Sequence, residues 1–151
     1  MAVDHFSKYV IIAPMKNMNA EMIAQFILYR IGLIFGFLNK LLSDRGSSFL
    51  SRAIQQLLSL AESKKTSTTA YHPQGGGQAE SAVKIVTRLL CKMVATFPNL
   101  WVEYVPFITF QYNCSVQDSV RVSSYMVVFG QLPRVISLDP SILQLTRFLA
   151  G

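Results

Sequence analysis

The chain has 151 residues, 51% of them apolar, and sets 14 Lys and Arg against 8 Asp and Glu for a net charge of +6. This length suits one domain with a sizeable core, and so apolar a chain, free of low-complexity tracts, is not a disordered one. A basic balance fits a polyanionic partner without identifying it. Two cysteines, Cys91 and Cys114, are too few for a disulfide framework, and nothing signal-like precedes the first strand. An intracellular protein of the nucleus or cytoplasm, not a secreted one, is therefore expected, with both thiols buried or half-buried. His5 and His72 are the only histidines and there is no Cys-x-x-Cys, which argues against a zinc site.

In chain order, Ala2-Val3 ends an apolar segment, Asp4 to Lys8 makes a turn, and residues 9–13 form a short β-branched strand. Asn19 is placed to cap a helix over 20–35 that Gly36 ends. Residues 23–42 are apolar enough to suggest a membrane span, but Arg30 would cost about 2.5 to 3.5 kcal/mol at its centre and Gly32 and Gly36 interrupt it, so a buried helix is expected instead. Residues 40–43 read as a strand that delivers Asp44 to its carboxyl end. Ser47 or Ser48 then caps a helix to about residue 63, with Phe49, Ala53, Ile54, Leu57, Leu58 and Leu60 turned inward. Residues 64–69 are polar and β-prone, as an edge strand would be.

Pro73 and the glycines Gly75 to Gly77 predict a mobile loop up to Gln78, where a helical pattern begins. Ala82, Val83, Val86, Leu89, Leu90, Met93 and Phe97 mark its inner face, while Glu80, Lys84, Thr87, Arg88 and Cys91 share the opposite stripe. In the first turn Glu80 would complement the helix dipole and gain about 0.2 to 0.5 kcal/mol from Lys84, a purely structural explanation. A further helix over 100–113 carries Trp101, Tyr104, Val105, Ile108 and Tyr112, with Pro106 as an irregularity. Trp101 and Tyr104 are expected to pack in the core or at a subunit interface. Asn113-Cys114-Ser115 matches a glycosylation sequon that an intracellular protein would not use. A short helix over 123–129 follows, and the tail over 135–151 is irregular. Alternating strands and helices give an α/β layer fold.

Several motifs stand in a telling order: Asp4-His5-Phe6-Ser7-Lys8-Tyr9, Ser43-Asp44-Arg45-Gly46, Ala70-Tyr71-His72-Pro73-Gln74 with Glu80 beyond it, and Val128-Phe129-Gly130. Together they resemble the integrase catalytic core of LTR retrotransposons and retroviruses, especially Gypsy-like elements, over residues 3–134. The resemblance implies a ribonuclease H-like fold, an integrase core over residues 1–134, and Asp44 and Glu80 as the second and third of three carboxylates. In that family the three acids hold Mg²⁺ or Mn²⁺ for phosphodiester cleavage and strand transfer. The first acid stands on the family's opening strand, before the motif that Asp4 begins, so Asp4 is expected to serve its own turn.

On this reading the core is N-terminally truncated, lacks the first strand, binds metal weakly and does not catalyse as the chain stands. The alternative is a non-enzymatic nucleic-acid-binding or dimerisation module derived from an integrase. DNA is the implied partner and a homodimer fits the family; no membrane is implied. Phosphate contacts fall to Lys84 and Arg88 on the stripe of Glu80, to Tyr71, His72 and Gln74, and to Arg45 beside Asp44. Ser81 and Val83 stand where the family has Arg and Asn, and Ser124 stands where it has Pro.

Overall fold

The structure, a computed structural model, describes residues 1–44, 46–67, 73–96 and 98–134. Strands β1 (Ala2–Val3) and β2 (Val10–Ile11) pair antiparallel, Ala2 opposite Ile11 and Val3 opposite Val10. Their turn is closed by Asp4, whose carboxylate accepts from the Ser7 N–H at 2.8 Å and from the Ser7 hydroxyl at 2.6 Å. That is the local role expected of Asp4.

Helix α1 (Ala20–Gln25) starts where the Asn19 side-chain oxygen accepts from the Met22 N–H at 2.9 Å. It continues through a π-helical stretch, Phe26–Gly32, into α2 (Leu33–Phe35), and stops at Gly36, whose φ of 91° suits glycine alone. Because π-helical bonds join residues five apart, Phe26 and Ile31 share the buried face. Arg30 is exposed, and no helix among the described residues is long and apolar enough to cross a membrane.

Strand β3 (Lys40–Ser43) and β4 (Lys64–Ser67) pair in parallel and are joined through α3 (Arg52–Leu60), as parallel neighbours require a crossover. The expected cap at Ser47 or Ser48 is corrected. Residues Ser47–Leu50 form a 3-10 turn that lets Phe49 pack on the core, and Ser51 caps α3 by accepting from the Ile54 N–H at 3.4 Å. Ala53 and Leu60, expected inward, are exposed, because a nine-residue helix buries only the narrow stripe of Ile54 and Leu58.

Helix α4 (Pro73–Thr96) is longer than the sequence suggests. Pro73 and the three glycines were expected in a loop, yet they are helical. Pro suits a first helical position, and each glycine costs only about 1 kcal/mol against Ala, which the packed remainder of a 24-residue helix can carry. A 3-10 turn, Pro98–Leu100, leads into α5 (Trp101–Cys114), which contains Pro106. Helix α6 (Ser124–Phe129) is capped by Ser123, whose hydroxyl accepts from the Met126 N–H at 3.2 Å, and ends at Gly130 in the left-handed region.

The layers follow from strand alternation. Ala2, Ile11 and Leu41 pack on a core of Ile23, Phe26, Ile27, Ile31, Ile54 and Leu58, which is the α1 and α3 side. Val3, Val10 and Ile12 face the other way, onto Ala82 and Val86 of α4 and Tyr112 of α5. The β1–β2 ribbon is thus sandwiched between two helical layers. Asn113 ties it to α5: its amide oxygen accepts from the Val10 N–H at 2.8 Å and its NH₂ donates to the Val10 carbonyl at 2.9 Å.

Candidate functional site

Asp44 follows β3 directly and is exposed. The strand is anchored by Leu41 against the core and by the buried Ser43, whose hydroxyl donates to the Asp44 carbonyl at 3.0 Å. One carboxylate oxygen of Asp44 accepts from the Gly46 N–H at 3.0 Å. A Cβ at position 46 would lie 3.0 Å from that same oxygen, so glycine permits the close turn that aims this acid.

Glu80 is the eighth residue of α4, past the first turn, so the expected dipole stabilisation is corrected. Its direction is as expected. Ala82 is buried against Val10 and Tyr112 with Val86 beside it, which turns Glu80, Lys84, Thr87, Arg88 and Cys91 outward, all exposed. Cys91 was expected to be at least half-buried; it shares this solvent stripe, while Cys114 is half-buried and burial pushes its thiol up. Val83 is exposed too, because it stands at the margin of the inner face. Trp101 is 41% exposed and Tyr104 buried, so only the second joins the core.

Among the other expected site residues, Arg45, Tyr71 and His72 lie outside the described residues, as do the side chain of Gln74 and the tail over 135–151. Asp44 and Glu80 stand on separate elements. Among the described residues no three His, Cys, Asp or Glu side chains are grouped to hold a metal ion. Asp4 is bound up in its own turn, where its carboxylate meets Ser7.

Two features escaped sequence reasoning. Asn113 clamps β2, and its only signal is an amide next to the inward Tyr112. The second is an aromatic group in which Tyr9 meets Phe35 and Phe129 at ring distances of 5.6 and 5.9 Å, and Tyr125 meets Phe129 at 4.6 Å. This group joins the β2 start to α6 and thereby fixes the Val128-Phe129-Gly130 motif on the body of the fold.

The fold, with one acid at the end of β3 and a second on α4, is the ribonuclease H-like fold of the integrase catalytic cores to which the structure is similar. No family model matches the chain. In sequence it is similar to the Tf2-3 and Tf2-4 transposon polyproteins of Schizosaccharomyces pombe, 26% identical over 140 residues in each case. The match takes in 92% of this chain but spans only about 10% of the length of those polyproteins. In structure it is similar to the HTLV-2 integrase catalytic core solved with magnesium, at a TM-score of 0.70 and 22% identity over 83% of this chain and 80% of that one. The catalytic core of BIV integrase gives 0.72 and 21% over 85% and 82%. The resemblance to the integrase core of LTR elements that the motifs carry is thereby upheld.

Proposed function

We propose that this chain is part of a Gypsy-like retroelement integrase core that binds DNA through its backbone, and that the 151-residue polypeptide by itself does not join DNA. The observation that carries the DNA reading is the outward stripe of α4. Its inner face is locked onto β1 and β2, which holds Glu80, Lys84 and Arg88 together on one exposed line, within a fold shared with integrase cores. Such a line suits phosphate contact without base readout. Absence of joining is inferred from the donor set: among the described residues no three metal-ligating side chains are grouped, and Asp44 and Glu80 stand on separate elements. Two carboxylates supply fewer ligands than the three acids the family uses to hold its pair of ions.

The test is fluorescence anisotropy on a labelled duplex across a salt series. Loss of two phosphate contacts in a Lys84→Ala, Arg88→Ala double variant should flatten the slope of log K against log salt by about 2. An unchanged slope would remove these residues from the interface.

A further inference from the structure

In the parallel register of β3 and β4, Lys40 stands directly opposite Lys64, and Leu42 opposite Thr66. Leu41 and Lys65 take the other face, where Leu41 meets the core and the Lys65 ammonium donates to the Phe49 carbonyl. Lys40 and Lys64 therefore share the face turned away from α1 and α3. That face is open: both lysines are exposed, and Leu42 between them and the strand end is 42% exposed. Among the described residues neither ammonium has a hydrogen bond or ion pair. Like charges side by side on neighbouring strands repel one another, and an anion held between them relieves this.

We propose that Lys40 and Lys64 form a phosphate-contact site that holds a nucleic-acid backbone on the open face of the parallel strand pair, leading toward Asp44. This rests on the DNA reading above and extends it to a second element. Strand alternation puts Lys40 and Leu42 on one side, and Asp44 follows the strand end four residues from Lys40, within roughly 13 Å at about 3.3 Å per residue. A duplex strand advances about 3.4 Å per nucleotide along its axis, so a backbone held by the lysines reaches Asp44 within about four steps. The pair carries no base-reading geometry and contributes positioning alone.

The experiment compares salt slopes of DNA binding for the whole chain, a Lys40→Gln, Lys64→Gln variant, and a Lys16→Gln, Arg134→Gln variant that lowers the net charge of +6 by the same two units. The first double variant should flatten the slope by about 2 and the second by less than half as much. Equal slopes for the two variants would overturn the site and assign the effect to net charge. If the unaltered chain itself shows no salt-dependent binding, the DNA reading fails, a result distinct from failure of this site. A Lys40→Glu variant guards against misfolding as an explanation: it places an opposite charge against Lys64, and should raise the urea midpoint while weakening DNA binding. A lowered midpoint would refute the uncompensated repulsion on which the proposal stands.

Discussion

Replacing Asn113 by Ala tests how the site-bearing helices are held to the sheet. Asn113 is 1% exposed and Val10 fully buried, and both ends of the Asn113 amide are engaged by the Val10 backbone at 2.8 and 2.9 Å. The substitution strands one buried N–H and one buried carbonyl, each costing about 1 to 3 kcal/mol once left without a partner. A loss of about 2 to 6 kcal/mol follows, large against a domain stability of about 5 to 15 kcal/mol. No ligand contact is altered, so the loss should appear in urea unfolding as a lowered midpoint with an unchanged slope. Asn113→Asp is the informative companion, because it keeps an acceptor for the Val10 N–H but loses the donor and buries a charge. It should fare no better than Ala. A cost below about 1 kcal/mol for the Ala variant would mean that water reaches Val10, and would refute the clamp.

The Ser124 hydroxyl is buried with no partner among the described residues, at the first position of α6. Ser124→Ala should therefore raise stability by about 1 kcal/mol in the same assay, and a loss would show that the hydroxyl has a partner. Burial pushes the Tyr9 phenol up, with Tyr125 adding to the effect and an Asn113 hydrogen bond opposing it, and burial alone raises Tyr112. Groups raised in the folded state give stability that is complete below their ordinary values and lost above them. Unfolding should thus become easier as pH rises past 9.0 for Cys114 and past 10.0 for the two tyrosines. A Tyr112→Phe variant should lose less on the alkaline side, and an identical alkaline profile would show that Tyr112 does not contribute.

The sequence disclosed those parts whose causes are local. Strand β3 is legible because Gly36 stops the preceding helix and Asp44 opens a turn, and the Asn19 cap follows directly from residue type. Where causes are tertiary, the reading failed. Glycines before Gln78 are poor helix formers, yet the docking of Ala82 and Val86 extends α4 back to Pro73. Two adjacent serines looked like the cap of α3, but the packing of Phe49 displaced it to Ser51. The candidate site was half legible. The outward line of Glu80, Lys84 and Arg88 followed from helical period, whereas the opposition of Lys40 and Lys64 depends on strand register, which no single segment encodes.

A strand-joining assay with this chain, duplex DNA ends and Mg²⁺ or Mn²⁺ tests the central claim most directly. Bound DNA and no joined product above the metal-free control are expected. Metal-dependent joining that Glu80→Gln abolishes would contradict it, and would require a third ligand that the described residues do not supply.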